Sequence, residues 1–405
     1  MKLLLVTRGS QGDIYPYLRL AIELKNRGHN ITLSLPRLFE KHAIDSGVNY
    51  VLQASDDIAG MIEDKPDTKN LLAWTKRVID SQFKEFIPLM AEHDILISAN
   101  TEFAAPSIAE YYNKPCIRTA FGPFLPSQAI PPPVFPWSKP HPIFRPVFLW
   151  SLLNNGLNLM VKKTLNKNRR ALGMPLIKDQ AKHAPCNSFN FLMYSKHLGN
   201  VDTKWKYKWD IGGYCFNDML PYNKEDLNKI INFIKKDDKP TVFFSLGSCY
   251  IDQRDRFTDL LFSICSEHKY KLLLSAGWWN TGAQLQNQDN LFRINTVIPH
   301  CLIFPNCDVI IHHGGAGTTH SAARSGKPQM IAPIILDQFY WSNRVNELGI
   351  GPGSVKINGI SKKKLEQKVV DLVNNQSYKA KARIIADLIK GDNGLENICK
   401  HIESY

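Results

Sequence analysis

The sequence lacks most of the devices that mark secreted, metal-bound or membrane-spanning chains. Its eight cysteines form no Cys-x-x-Cys pair and no zinc-ligand spacing, so they read as buried or incidental thiols of a reducing compartment. No run reaches the ~18–20 uninterrupted apolar residues of a membrane span. The short apolar stretch Leu3–Val6 is closed by Arg8, which is too soon for a signal-peptide core. No Asp-x-Asp-like acidic cluster ends a strand, so no metal ligand set is expected. Neither a Walker A loop nor Gly-x-Gly-x-x-Gly is present, which weighs against ATP hydrolysis and dinucleotide binding. No RRM, KH or helix-turn-helix pattern accompanies the basic residues, so no nucleic-acid partner is expected. These absences predict a cytoplasmic protein, attached at most peripherally to a membrane face.

What remains is ordinary globular material with one unusual bulk property. The chain has 405 residues, 44% hydrophobic and 21% charged, which suits two or three domains. Its net charge is +13. The segment from Lys139 to Lys208 holds thirteen Lys and Arg against two acidic residues, Asp179 and Asp202, a net +11. So concentrated an excess points to an anionic partner surface rather than to a diffuse bias.

Short β-branched runs alternate with helical patterns. Strands are predicted at Lys2–Thr7, Asn30–Leu35, Val48–Leu52, Asp94–Ser98 and Pro115–Ala120, with helices such as Tyr17–Arg27, Leu71–Ala91 and Phe103–Tyr112 between them. The pattern restarts at Thr241–Leu246, Lys271–Ser275, Leu291–Val297, Asp308–His312 and Gln329–Ala332. The expected class is α/β: two Rossmann-like domains with doubly wound parallel sheets. The Asn-, Asp-, Lys- and Pro-rich stretch Tyr214–Pro240 suits a linker with a short helix, and Gly122–Pro146 is a proline-rich loop. A long helix is predicted over Val147–Leu172, apolar in its first half and basic in its second.

Three segments carry chemistry. Asp308–His312 runs into His313-Gly314-Gly315-Ala316-Gly317-Thr318, a glycine-rich turn before a helical stretch. Free amides at a helix start bind anions, so this turn suits a phosphate or pyrophosphate, with His313 and Thr318 as added partners. A tight turn needing glycine only for packing has the same spelling. Asp337-Gln338 follows the next strand, where a carboxylate and a carboxamide can hydrogen-bond sugar hydroxyls, or Asp337 can cap a helix. Asp13, in Gly9-Ser10-Gln11-Gly12-Asp13-Ile14-Tyr15-Pro16, lies at the carboxyl edge of the first sheet. It can cap the first helix or act as a general base.

Taken in order, these segments resemble the family 1 nucleotide-sugar glycosyltransferases with a GT-B fold. The closest likeness is to the bacterial and fungal branch holding the sterol 3-beta-glucosyltransferases and glycopeptide glycosyltransferases. Gly9-Ser10-Gln11-Gly12-Asp13-x-x-Pro16 resembles that branch's opening, Leu172-Gly173-Met174-Pro175 its acceptor-domain motif, and Ser245-Leu246-Gly247-Ser248 its first donor-domain loop. His312 to His320 resembles its donor signature, and Asp337 to Val345 with Leu348-Gly349-Ile350-Gly351-Pro352 is most similar to sterol-type members.

The resemblance implies an acceptor domain over 1–213, a linker over 214–240, a donor domain over 241–385, and a C-terminal helix over 386–405 that returns to the first domain. It implies that Asp13 deprotonates the acceptor hydroxyl, and that His313 with Gly315, Ala316, Gly317 and Thr318 holds the pyrophosphate. Asp337 and Gln338 would read the sugar, and Val297 and Ile298 would lie against the base. Ser10, Gly12, Ser248 and Trp278 would line the donor cleft. The implied reaction is inverting and metal-independent. It moves a hexose, glucose, from a nucleoside diphosphate sugar, UDP-glucose, to a hydrophobic acceptor such as a sterol, another lipid or a polycyclic phenolic, with no cofactor besides that co-substrate.

The chain departs from the pattern at three positions. Gln11 replaces an Arg, Val297 stands where plant members stack a Trp, and Ser321 where they place a ribose-binding Glu, leaving ribose to backbone, His320 or water. Phe121, Phe124, Trp137 and Trp150 are the candidate acceptor-binding aromatics, and the basic helix is a candidate contact for an anionic membrane. A GT-B sugar-nucleotide epimerase and a non-catalytic lipid- or nucleotide-binding relative are the alternative readings. The first needs further acid/base carboxylates around the sugar, and the second has no use for an intact Asp13, His313 and Asp337.

Overall fold

The computed structural model describes residues 1–54, 68–137 and 139–405. Two parallel sheets form its frame. The first has seven strands: β1 (Lys2–Val6), β2 (Asn30–Leu35), β3 (Tyr50–Leu52), β4 (Ile95–Ala99), β5 (Cys116–Ala120), β6 (Phe189–Leu192) and β7 (Trp209–Ile211), in the order β3-β2-β1-β4-β5-β6-β7. The second has five: β8 (Thr241–Ser245), β9 (Lys271–Ser275), β10 (Leu291–Ile294), β11 (Val309–His312) and β12 (Gln329–Ile331), in the order β10-β9-β8-β11-β12. Leu3–Val6 and Val309–His312 are buried along their whole length, as expected for central strands covered by helices on both faces.

Helices α1 (Gln11–Asn26), α2 (Glu40–Ser46), α3 (Thr68–Glu92), α4 (Ala105–Tyr111), α5 (Pro146–Ala171) and α6 (Gln180–Cys186) belong to the first sheet. Around the second lie α7 (Lys224–Lys235), α8 (Arg254–Glu267), α9 (His300–Ile303), α10 (Ala316–Arg324), α11 (Gln338–Glu347), α12 (Lys362–Asn374) and α13 (Gln376–Lys390). The last helix, α14 (Gly394–Glu403), returns to the first domain. Its Ile398, Cys399 and Ile402 join the core formed by β1, β2 and α1. Arg27 on α1 pairs with Glu396 and Glu403 of α14.

The strand order reverses between β1 and β4 in one sheet and between β8 and β11 in the other. Open parallel sheets bind ligands at such switch points, outside the carboxyl ends of the strands. The β1 loop holds Gly9 and Ser10 and leads into Asp13 in the first turn of α1; the β8 loop holds Gly247 and Ser248, and the β11 loop His313.

Several expectations need adjusting. Strands β6 and β7 escaped the sequence reading because they are short and β6 carries a buried Asn190, whose side chain donates to the Pro185 and Lys208 carbonyls. Helix α1 starts at Gln11 and runs through Pro16, which sits in its early turns. Strand β10 ends at Ile294, so Val297 lies in the loop beyond it. Within the expected linker, α7 packs Ile230, Phe233 and Ile234 into the donor-side core. Residues 386–390 complete α13, which packs on α10 in the second domain. The return to the first domain therefore begins after Lys390, not at 386.

Candidate active site

The first wall of the cleft is the turn after β1. Gly9 has φ +132°, and a Cβ there would lie 2.2 Å from Asp13 Oδ2, so only glycine lets the carboxylate tuck against the backbone. Asp13 occupies the third position of α1. Its Oδ2 accepts from the Ser10 amide at 2.8 Å and from the Ser10 hydroxyl at 3.4 Å. The capping role is therefore realised, and Ser10 acts on Asp13 through both groups. Burial pushes the Asp13 carboxyl up to about 6, against the pull of these two bonds.

The opposite wall carries Asp337. It stands before α11 without capping it; instead its Oδ2 accepts from the Trp341 indole at 3.0 Å. Burial pushes this carboxyl up to about 6 as well, with the Asp13 charge across the cleft adding to the effect. The Asp13 charge of the first domain is thus felt at Asp337 of the second.

His313 anchors the donor end. A Cβ on Gly247 would meet its Cε1 at 2.7 Å, and one on Gly315 would meet its Nε2 at 2.6 Å. The two glycines form a slot that grips the imidazole. Burial pushes it down to about 4, against the pull of the Ser245 backbone, so it is neutral at pH 7; its buried Nδ1 makes no well-formed hydrogen bond. A buried unpaired nitrogen calls for a partner, and a ligand oxygen is one chemical solution. The amides of Ala316, Gly317 and Thr318 precede the first intrahelical bond of α10, from Thr319 N to Gly315 O. His313 and these amides thus lie together at a helix start, a chemistry suited to an anion.

The neighbouring histidines hold this turn. Gly314 N donates to His312 Nδ1 at 3.0 Å, so His312 Nε2–H donates to Gln329 Oε1 at 2.9 Å. His320 Nε2 accepts from Ser195 N of the first domain at 3.1 Å, and its Nδ1–H donates to Ala316 O at 2.7 Å. Both His320 nitrogens are engaged, so its suggested contact with ribose is not supported.

Other expected residues fall in different places. Gln338 is buried: its Oε1 accepts from Ile334 N at 2.7 Å and Ile335 N at 3.1 Å, and its Nε2 contacts Cys249 Sγ at 3.1 Å. It shapes the loop that presents Asp337, and that loop engages its acceptor oxygen. Ile298 is buried in the core around α7, so its side chain does not face a base; Val297 is 42% exposed. Trp278 donates its backbone N–H to Gly247 O and packs its ring against the first-domain core, 6.3 Å from Phe39, so it bridges the cleft. Ser248 is half-buried, and its carbonyl accepts from the Trp279 indole at 3.0 Å. Gly12 is exposed in the first turn of α1.

Of the acceptor candidates, Trp150 is buried, and its indole donates to Ile130 O at 2.8 Å; it is a core residue. Phe124 packs into the interdomain core near Trp341. Phe121 lies against Tyr214, 5.9 Å between rings, and Trp137 stacks with Phe135.

Two residues were missed. Tyr214 opens the linker and is buried, stacked on His320 at 4.8 Å; its hydroxyl lies 2.6 Å from where a Cβ on Gly317 would sit. Burial holds its phenol protonated, and the Asp13 and Asp337 charges add to that effect. No motif flagged Tyr214, because it stands alone in a polar stretch. Glu102 follows β4 at the same sheet edge as Asp13, and that position was the available signal. It is buried, 3.7 Å from Arg8, and accepts from Gln82. Burial pushes it up to about 7, Arg8 pulling the other way.

Two facing parallel-sheet domains with a cleft at both switch points define the GT-B class. Comparison with known proteins agrees. Residues 280–403 match the family described as "Erythromycin biosynthesis protein CIII-like, C-terminal domain". A sterol 3-beta-glucosyltransferase of Arabidopsis thaliana is 24% identical over 425 residues, covering 99% of this chain and 65% of its own length. Its counterpart in Debaryomyces hansenii is 25% identical, covering 98% of this chain and 26% of its own. This chain thus spans less than two thirds of those relatives. Among solved structures, the calicheamicin glycosyltransferase CalG4 superposes with a TM-score of 0.75 at 16% identity, covering 100% of this chain and 97% of its own. The kitacinnamycin enzyme gives 0.73 at 19%, covering 100% and 98%. The chain thus has the GT-B fold, and along its length it is similar to glycosyltransferases of that fold.

Proposed function

We propose that the chain transfers a hexose, glucose, with inversion, from UDP-glucose to a hydroxyl of a sterol or similar hydrophobic acceptor. The observation that carries this reading is that the Asp13 charge reaches Asp337 of the other domain, while Gly247 and Gly315 grip His313 at the start of α10. Asp13 takes the acceptor proton as the oxygen attacks the anomeric carbon. That bond forms while the bond to the leaving diphosphate breaks on the opposite face. A positioned base contributes ~10²–10⁴ in rate. The α10 amides and neutral His313 stabilise the charge that develops on the diphosphate, as preorganised dipoles. This disposition supports transfer without a metal, and activity in excess EDTA tests that point. Asp337 hydrogen-bonds the sugar hydroxyls, and Trp278 excludes water from the cleft. The likeness to sterol 3-beta-glucosyltransferases supports the choice of sugar and acceptor.

The deciding experiment incubates the purified chain with UDP- and TDP-sugars against sterol, phenolic and lipid acceptors, with products read by mass spectrometry. A β-glycoside from an α-linked UDP-glucose donor is expected. An epimerised donor with no glycoside would overturn the reading.

A further inference from the structure

We propose that α5, with the aromatic loop before it, is a peripheral docking surface for an anionic lipid bilayer. This helix has two faces. One buries Leu149, Trp150, Val161 and Leu165 against the first domain, where Arg169 pairs with Glu110 at 2.8 Å. The other stays outside. At 100° per residue, Phe148, Leu152, Leu159, Lys163, Lys167 and Arg170 fall on one stripe within about a third of the circumference.

The N-terminal half of that stripe is apolar, with Leu159 84% exposed and Phe148 57% exposed. Its C-terminal half is basic: Lys163, Lys167 and Arg170 are all exposed, Lys167 while paired with Asp80 of α3 at 3.3 Å. The apolar part continues into the loop, where Phe144 stacks on Phe148 at 6.3 Å and Ile143 is 77% exposed. The helix runs 26 residues, about 39 Å, and contains no Asp or Glu.

An exposed apolar patch over Ile143, Phe144, Phe148 and Leu152, joined one turn past Asn155 and Gly156 by Leu159, marks an interaction site. Its charge selects the partner. An apolar strip followed by cations of one sign matches the acyl–headgroup boundary of an anionic leaflet. No helix among the described residues is long and apolar enough to cross a membrane, so the helix lies on the bilayer rather than in it. The surface is independent of whether the chain transfers sugar.

The test is co-sedimentation of the full chain with two kinds of vesicle. One is phosphatidylcholine alone; the other contains roughly a third phosphatidylglycerol, where each basic residue adds about 5-fold in affinity. Binding to the anionic vesicles only is expected, with most of it lost at about 0.5 M salt. The pair Lys163→Glu and Arg170→Glu should weaken binding at least about 10-fold. Leu152→Glu with Leu159→Glu should do the same through the apolar half. Both pairs should keep the wild-type circular dichroism and transfer to a detergent-solubilised acceptor. Equal binding to neutral vesicles, no binding at all, or wild-type binding by both pairs overturns the proposal. So does a concentration-dependent dimer that the leucine pair dissolves, because the occupant would then be a second copy.

Discussion

Asp13 is held by Ser10 as a helix cap and lifted by burial, and these opposing demands give it a measurable signature. A base must be ionised, so transfer should rise with pH through about 6 and level off above it. Asp13→Asn should lower the rate by ~10²–10⁴ while UDP affinity by calorimetry stays within about 2-fold. A folded-state value raised from 3.8 to about 6 means that the folded form binds the proton more tightly. Its stability contribution is full below 3.8 and is lost as pH rises through 6. Asp13→Asn should therefore melt a few degrees higher than wild type at pH 8 and no higher near pH 3.5; a lower midpoint at pH 8 would contradict the burial argument. Tyr214 is a second residue-scale case. Its protonated hydroxyl beside Gly317 stands where the diphosphate would lie. A hydrogen bond to a charged group contributes about 1.5–3 kcal/mol, so Tyr214→Phe should weaken UDP binding about 10-fold or more. Unchanged affinity would remove Tyr214 from the site.

Strand parity separates His312 from His313. Successive side chains point to opposite faces, so His312 enters the core and His313 leaves the strand toward the cleft. The motif made the place of His313 beside a glycine-rich helix start legible in sequence, because glycines and a helix start are local features. The partner of His312 was not legible: Gln329 lies 17 residues on, and β12 brings it alongside β11. The same limit explains Gln338, whose composition suits sugar recognition but whose oxygen accepts from two loop amides. His312→Ala leaves Gly314 N and Gln329 Oε1 without partners in a buried place, each worth about 1–3 kcal/mol. It should lower the urea midpoint and weaken UDP binding together, although His312 itself touches no ligand. His313→Ala should weaken UDP binding with a smaller loss of stability, since its ring makes no well-formed hydrogen bond comparable to the two of His312. If the two variants shifted stability equally, the division of labour between them would be wrong.

At the scale of the molecule, two parallel sheets were legible because apolar runs and helical patterns alternate twice along the chain. The joins were not legible, because they depend on contacts between residues far apart in sequence: His320 with Ser195, Tyr340 with Asn200, and α14 with α1. The two domains also differ in how they should respond to acid. His300, His312, His313 and His320 all sit in the second domain, pushed down from 6.5 to between about 3 and about 4, mainly by burial. Each contributes stability that is present above 6.5 and is lost as pH falls toward 4. Asp13 and Glu102, in the first domain, run the other way: pushed up to about 6 and about 7, they favour the folded form as pH falls. Asp337 offsets one of the four histidines in the second domain. Only the part of each depression between 6.5 and 5 acts over this range, about 2 kcal/mol per histidine, so acidification from pH 7.5 to 5 removes several kcal/mol from the second domain. Hydrogen exchange at the two values should show the strands of the second sheet, β8 to β12, losing protection at pH 5 while β1, β2 and β4 keep theirs. UDP should restore the second domain, since a ligand bound only to the folded form stabilises it by mass action. Equal loss in both sheets would mean that the buried histidines do not set the acid limit.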